Sequence, residues 1–255
     1  MADPPELTVA DAGLWRAWLD ANYPEGIVHF LDGIGFLSSR LTLAHCTWAR
    51  PDELELLAER GCTIAVNTSS NLGLRSGIAP VKEMVARGCR VALGLDGMTL
   101  DEDDDALREM RLAHLLHNGI AYRIDVDRPT MLEMAFHTGR YSVTNKDDGG
   151  SLAAGAPADV LVLDWDAIDT ERLRADLDPR DLLFGRSAMR HIHELIVGGR
   201  TVVQDGRVTG VDHPKLVGEL LARLRSGMAQ NAALAAALPE LERAIEHHYA
   251  DAPCC

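Results

Sequence analysis

Two residues with reactive side chains stand where two short apolar runs end. His45 lies at the end of the run Leu41–Cys46, and Asp96 directly follows the run Arg90–Leu95. An imidazole can exchange a proton near neutral pH, and a carboxylate can bind a metal ion or accept a proton. Considered singly, His45 fits a buried structural histidine, and Asp96, which precedes Gly97, fits a turn residue. Their shared place at the ends of two runs favours a site with acid–base or metal chemistry.

A parallel sheet is the element that would bring these two residues together. The two runs and a third, Cys62–Val66, are rich in Val, Ile, Leu and Ala and short enough to be strands buried on both faces. Between them lie two helical patterns that each begin at a proline and end at a glycine, Pro51–Gly61 and Pro80–Gly88. This alternation predicts a parallel sheet with crossover helices. Where such a sheet closes into a barrel, the carboxyl ends of its strands form the rim of the active site. His45 and Asp96 are therefore predicted to point into the same mouth of the barrel.

Composition narrows the class of protein. The chain has 255 residues, 25% of them charged, with a formal net charge of −14, which predicts one or two domains with a sizeable core. The acidic balance argues against nucleic acid and anionic membranes as partners. An aromatic content of 5% argues against base stacking on single strands. No apolar run approaches the roughly 18 residues that a membrane span needs.

The cysteines and the N-terminus bear on the compartment. Three cysteines, Cys46, Cys62 and Cys89, lie in or beside the predicted strands, where a reduced cysteine behaves as a small hydrophobic residue. Cys254 and Cys255 are adjacent, which is not a metal-site spacing. The N-terminal residues lack the basic and apolar regions of a signal peptide. We therefore expect a reducing compartment and a cytoplasmic location.

Several motifs in order resemble a known family. The stretches LAHCTWARPDELELLAERG, NTSSNLGLRSGIAPV and VALGLDG resemble the second half of the barrel of the amidohydrolase superfamily. They are most similar to its branch of cytosine deaminases, chlorohydrolases and S-adenosylhomocysteine deaminases. The later stretches GGSLAAGAPADVLVLD and VGGRTVVQDGRVTGVD resemble that branch's return into a small β-sandwich. The resemblance covers the chain from about residue 24 to about residue 215.

This resemblance implies the fold class and the domains. The fold class is α/β: the C-terminal half of a (β/α)8 TIM-type barrel, followed by the C-terminal strands of a small β-sandwich. The expected divisions are a partial barrel over residues 1–148, a sandwich segment over 149–211 and C-terminal helices over 212–255. The acidic residues 101–105 are expected to favour the N-terminus of a helix at Ala106–His117 rather than to bind a cation.

The resemblance also assigns roles to residues. In the family a His-x-His on the first strand, a His on the fifth and an Asp on the eighth hold the metal, and the sixth-strand His orients the water. His45 matches the sixth-strand His, and Asp96 matches the eighth-strand Asp, a metal ligand and proton acceptor. The implied metal is zinc, or else iron or manganese. Where the fifth-strand His and its Glu belong, a loose register finds Thr8 and Asp11.

Two further motifs need interpretation. Asn67, Ser70 and Asn71 follow the second predicted strand and are implied to line the substrate, although turn residues would have the same composition. The pair His191 and His193 forms a His-x-His, but it lies in the sandwich segment rather than on a first barrel strand, and we reject it as the metal site. Strand alternation predicts that both histidines share one solvent-facing side.

Three functional hypotheses stay open from the sequence. The favoured one is a subunit of a split hydrolase that cleaves a C–N bond in a small amide, amidine or aminated heterocycle. A second polypeptide would supply the His-x-His, in a heteromer or a homo-oligomer, because Asp96 alone cannot make a three-ligand zinc site. The second is a non-catalytic paralogue that stabilises a partner hydrolase. The third is a truncated or degraded gene product.

Overall fold

A computed structural model describes residues 21–97, 103–120, 122–172 and 176–249. The positions Thr8 and Asp11 and the cysteines Cys254 and Cys255 lie outside the described residues. The helices and strands, in chain order, are α1 (Ile27–Gly33), β1 (Thr42–Ala44), α2 (Pro51–Glu59), β2 (Thr63–Val66), α3 (Thr68–Gly73), α4 (Val81–Ala86), β3 (Arg90–Leu93), α5 (Ala106–Asn118), α6 (Arg128–Leu132), a π-helix (Glu133–Thr138), α7 (Gly139–Thr144), β4 (Val160–Leu163), α8 (Trp165–Ile168), α9 (Pro179–Arg186), a 3-10 turn (Met189–His191), β5 (Ile192–Val197), β6 (Arg200–Gln204), β7 (Arg207–Val208), α10 (His213–Met228), a 3-10 turn (Ala229–Asn231) and α11 (Ala232–Tyr249).

The chain divides into two compact units. The described residues from 31 to 209 form one unit, which contains both sheets, and the described residues 21–30 and 210–249 belong to the other. Within the described residues, no helix is both long enough and apolar enough to cross a bilayer. The predicted divisions at residues 148 and 211 stay predictions.

The first sheet is parallel, as predicted. Its order is β1-β2-β3, with Thr42 opposite Thr63 and Ile64 opposite Val91. Parallel pairing places the carboxyl ends of all three strands at one edge, so the segments after residues 44, 66 and 93 emerge together. The sequence therefore positions three consecutive loops at one edge of the sheet.

The helices between these strands begin and end by local chemistry. In α2, Pro51 occupies the first turn, and the Glu53 carboxylate accepts the backbone N–H of Arg50 at 3.0 Å. Gly61 and Gly88, with φ of +68° and +74°, end the two helical segments in a left-handed conformation that glycine adopts without a steric penalty. The predicted helix limits at these glycines are confirmed.

The core of this unit lies between β2 and the helices around it. Ile64 and Val66 on β2 have no exposed surface, and neither do Leu57 on α2 and Met84 on α4. Burying one such side chain contributes roughly 1.5–3 kcal/mol relative to leaving it exposed. Burial of the central strand β2 against these helices therefore stabilises the sheet.

The second sheet is antiparallel, in the order β4-β5-β6-β7. The hairpin between β5 and β6 turns at Gly198 and Gly199, whose φ values of +56° and +75° fit a two-residue turn with two left-handed positions. This sheet lies within the segment over which a small β-sandwich was expected, and the sandwich itself stays a prediction.

The prediction that His191 and His193 share a solvent-facing side is wrong. His191 is buried in the 3-10 turn before β5, and its Nδ1 accepts the backbone N–H of Ala188 at 3.2 Å. His193 is exposed on β5 and lies 3.0 Å from the Asp205 carboxylate. Because the strand begins only at Ile192, period-two alternation does not apply to His191.

Residues 103–105 directly precede α5. The Asp105 side chain accepts the backbone N–H groups of Leu107 and Arg108 at 3.1 and 3.2 Å, and its other oxygen accepts that of Met189 at 2.7 Å. The expected N-terminal role of the acidic run is confirmed for Asp105.

Ile64→Ala should lower the free energy of unfolding by about 2–5 kcal/mol, because it leaves a cavity at a fully buried side chain of the central strand. Urea unfolding followed by circular dichroism measures the loss. Leu115→Ala, at a side chain 59% exposed, is the matched control and should change the free energy by no more than about 0.5 kcal/mol. Equal losses in the two variants would contradict this description of the core.

Candidate active site

The candidate site begins with two unusual backbone turns. His45 has a φ of +66° and Asp96 a φ of +67°, in the left-handed region that non-glycine residues rarely adopt. Cys46, with a φ of +46°, donates its backbone N–H to the Ala44 carbonyl at 2.8 Å, which closes a three-residue turn centred on His45. Such positive-φ turns are rare and strained, at a cost of order 1–3 kcal/mol. The His45 N–H donates to Ala65 on β2 at 2.7 Å, which ties the turn to the sheet.

These turns bring together the two side chains that the sequence singled out. His45 Nε2 lies 3.5 Å from Asp96 Oδ2, and the two side chains are 33% and 30% exposed. The pair is therefore open to solvent at the carboxyl edge of the parallel sheet. Their catalytic and metal-binding roles stay predictions.

Helix α3 holds both members of the pair. The Ser70 hydroxyl donates to Asp96 Oδ2 at 2.8 Å, and His45 Nδ1 lies 2.7 Å from Asn71 Oδ1. Because an amide oxygen can only accept, this short contact favours the neutral tautomer with its proton on Nδ1, and Nε2 faces Asp96 at the longer distance. Ser70 and Asn71 are buried, so their side chains are committed to the pair.

Asn67 completes the group and requires Gly94 opposite it. Asn67 Nδ2 lies 3.4 Å from His45 Nδ1. A Cβ atom on Gly94 would lie 2.2 Å from Asn67 Oδ1, so no larger residue fits there without displacing the amide. The isolated glycine at the end of the third strand pattern was a signal of close approach that sequence reasoning missed. A substrate-lining role for Asn67, Ser70 and Asn71 stays a prediction.

Two buried residues of α5 support α3 from behind. The Glu109 carboxylate accepts the backbone N–H groups of Thr68 and Ser69 at 2.7 and 3.1 Å. His117 Nε2 lies 3.0 Å from the Thr68 hydroxyl, and burial lowers the pKa of His117 to about 4. His117 is therefore neutral near pH 7. Sequence reasoning missed the contact of Glu109, because its partners lie 41 and 40 residues away along the chain.

Cys46, next to His45, is a buried thiol. Burial raises its pKa to about 12, with a smaller contribution from Cys89. The thiolate, which is the nucleophilic form, is therefore disfavoured at neutral pH. The described cysteines Cys46, Cys62 and Cys89 are free, and the reducing compartment stays a prediction.

Asp96 is the residue of this site that fits a divalent metal. Ser70 and His45 both approach its Oδ2, and no described residue donates to its Oδ1. Among the residues that the structure describes, however, no group of three His, Cys, Asp or Glu side chains could hold a metal ion. Since a catalytic zinc usually takes three protein ligands, Asp96 fits as one ligand, and the described residues do not complete a site.

Comparison with known proteins decides the family. The model of the amidohydrolase family matches residues 16–202. This chain belongs to the amidohydrolase family. The amidohydrolase therefore has an α/β fold of the TIM-barrel type, and the parallel sheet that carries His45 and Asp96 is part of it.

Relatives of this amidohydrolase include named deaminases. It is 32% identical to the 5'-deoxyadenosine deaminase of Methanopyrus kandleri over 74% of this chain and 43% of the relative. It is 34% identical to the 5-methylthioadenosine/S-adenosylhomocysteine deaminase of Nitratidesulfovibrio vulgaris over 85% of this chain and 49% of the relative. The chain thus spans about half the length of the curated relatives it matches.

Solved structures also match this chain over about half of their own length. An adenosine deaminase from Xanthomonas campestris with bound zinc superposes with a TM-score of 0.74 and 26% identity, over 86% of this chain and 50% of that one. A zinc complex of atrazine chlorohydrolase from Arthrobacter aurescens superposes with a TM-score of 0.71 and 25% identity, over 86% of this chain and 47% of that one.

Gly94→Ala should destabilise the amidohydrolase by about 1–3 kcal/mol, because the added methyl group collides with the Asn67 amide. In an Asn67→Ala background the same substitution should cost less, since the colliding oxygen is gone. Gly185→Ala on α9, where nothing lies within 4 Å of the new Cβ, is the control and should be neutral or slightly stabilising. Urea unfolding of the two single variants Gly94→Ala and Asn67→Ala, their double variant and Gly185→Ala measures these costs. An equal cost of Gly94→Ala with and without the Asn67 side chain would contradict the proposed collision.

The stability of the amidohydrolase should fall as pH drops from 6.5 to about 4, the window between the ordinary and the folded pKa of His117. Between these two pH values the unfolded chain binds a proton at His117, whereas the folded chain does not. The contribution of neutral His117 to the free energy of unfolding is therefore complete above pH 6.5 and is lost as the pH falls to about 4. The slope is at most about 1.4 kcal/mol per pH unit. His117→Gln should flatten this part of the urea-unfolding profile, whereas His193→Gln, at an exposed histidine, should not. Parallel profiles for both variants would refute the assignment.

Proposed function

We propose that this amidohydrolase contributes His45 and Asp96 to the active site of a metal-dependent deaminase that hydrolyses the C–N bond of an aminated heterocycle. The observation that carries the proposal is the 3.5 Å approach of His45 Nε2 to Asp96 Oδ2 between two left-handed turns at the sheet's carboxyl edge. Strain of this kind persists only where surrounding contacts enforce it, and it clusters at functional sites. An adenosine-type nucleoside is the favoured substrate, because the relatives above are named for such nucleosides.

The chain's own residues divide the work in this proposal. Asp96 serves as a metal ligand and accepts the proton of the attacking water, and the Ser70 hydroxyl fixes the orientation of its carboxylate. His45, held by Asn71 through Nδ1, presents Nε2 to the attacking oxygen. Asp96 would be one ligand of a divalent ion, zinc or else iron or manganese, which would lower the pKa of water toward neutrality when bound. Asn67 lies beside His45 and would contribute to the substrate side.

We further propose that a second polypeptide supplies the remaining metal ligands, in a heteromer or a homo-oligomer. Two observations support this. Among the described residues no three-ligand group is present. Strand β1 pairs with β2 on one side, and its other edge pairs with no described strand, which leaves backbone groups for another strand to bind. In this view the parallel sheet is the second half of a barrel, and β4–β7 belong to a small β-sandwich.

The lack of a three-ligand group also favours one alternative, a non-catalytic chain that stabilises a partner hydrolase. The two functions differ in turnover. The chain is purified alone and together with the product of a neighbouring gene that carries a His-x-His, and ammonia release is measured with 5'-deoxyadenosine and 5-methylthioadenosine. Turnover only in the mixture supports the split deaminase. A stable complex without turnover supports the non-catalytic partner, and turnover by the single chain contradicts the need for another polypeptide.

In the active mixture, Asp96→Asn and His45→Gln should each lower kcat by about 10²- to 10⁴-fold, because each removes a group that moves or orients a proton. His193→Gln, at the exposed histidine of β5, is the control and should leave kcat unchanged. Steady-state ammonia release measures the effect. Full activity of either site variant would remove that residue from the mechanism.

A further inference from the structure

The cap of helix α3 comes from an unexpected place. Asn67 occupies its N-cap position, where an asparagine side chain ordinarily accepts a backbone N–H of the first turn, but it makes no such bond. Its amide lies beside His45 instead, with Nδ2 3.4 Å from Nδ1. Glu109 of α5 takes over the cap: its Oε1 accepts the N–H groups of Thr68 and Ser69. The usual capping residue is thereby released to the site.

This cap matters because α3 cannot hold itself in place. The helix has six residues, which is too short to be stable in isolation. Thr68 is 2% exposed and Glu109 is 3% exposed, so the contact is closed to water. Without Glu109, two amide groups at a buried helix end would lose their partner, which a short helix avoids by shifting or unwinding.

What α3 holds is the pair of reactive side chains. Ser70 and Asn71 follow the capped amides directly, and they contact Asp96 and His45 at 2.8 and 2.7 Å. Glu109 lies on α5, the next described helix after Asp96 in the chain. It contacts α3, and α3 in turn contacts Asp96 through Ser70. A displacement of α3 would therefore change the hydrogen bonding of His45.

We propose that Glu109 is a positioning residue of the candidate site. By capping α3 in place of Asn67, it sets the positions of Ser70 and Asn71, and through Asn71 it fixes the proton of His45 on Nδ1. The inference rests on the proposed function for its relevance to catalysis, but its geometry can be tested without turnover. Glu109 itself touches neither His45 nor Asp96 in any described contact.

The test is the tautomer of the His45 ring. Long-range ¹H–¹⁵N spectra of the full chain, recorded above the ordinary imidazole pKa and assigned with His45→Gln, report which ring nitrogen carries the proton. The wild type should carry it on Nδ1. Glu109→Ala should lose this preference, and hydrogen exchange at the Asn71 amide should accelerate about tenfold or more, tenfold being about 1.4 kcal/mol. Glu109→Gln, whose Oε1 can still accept both amides, should restore the wild-type signals.

A matched control separates positioning from general stability. Glu53 is also buried and also caps a helix, α2, through the Arg50 N–H at 3.0 Å, but no described hydrogen bond joins it to His45, Asp96 or α3. Glu53→Ala should therefore leave the His45 tautomer unchanged. If Glu109→Ala does not fold, Glu109→Asp decides, because it keeps the charge and shortens the side chain by one methylene group.

Three results would overturn the proposal: a wild-type ring protonated on Nε2, an unchanged tautomer in folded Glu109→Ala or Glu109→Asp, or an equal change in Glu53→Ala. Failure of the proposed deaminase would look different, since the assembled protein would lack turnover while the tautomer still responded to Glu109.

Discussion

The structure depends on two left-handed turns at the carboxyl edge of a parallel sheet. His45 after β1 and Asp96 after β3 leave their strands with positive φ, a conformation that costs free energy for residues with a Cβ atom. The chain maintains it because helix α3, which emerges from the central strand between them, contacts both side chains. The buried core beneath the sheet gives these contacts a rigid base. Strain, helix and core together place an imidazole and a carboxylate side by side.

In the proposed function, this site supplies part of a metallohydrolase centre. Asp96 has an oxygen free of hydrogen bonds from described residues, and His45 has one ring nitrogen committed to Asn71 and the other turned to Asp96. A lone carboxylate does not hold a catalytic zinc, so the described residues need complementary ligands. Membership of the amidohydrolase family gives this arrangement its context, and the chain spans about half the length of the relatives it matches.

Local signals carried much of what the sequence could predict. The prolines and glycines around α2 and α4, the capping role of Asp105 and the turn at Gly198 each follow from chemistry within a few residues. The support of α3 by Glu109 could not be predicted, because its partners lie 41 and 40 residues away and α3 follows β2 where a loop was expected. Nor does residue type reveal that His45 is left-handed, since the surrounding contacts impose that conformation against its own preference. The predicted solvent-facing position of His191 was wrong because the side-chain alternation of β5 was extended to a residue that precedes the strand.

The central claim is that this chain presents part of a metal site and completes it only with another polypeptide. Metal analysis by mass spectrometry of the purified single chain, in parallel with its molar mass in solution, tests this most directly. The account predicts far less than one transition-metal ion per chain, and close to one per assembled site once the complementing polypeptide is present. A monomer that retains one tightly bound ion per chain, and loses it on Asp96→Asn, would contradict the account.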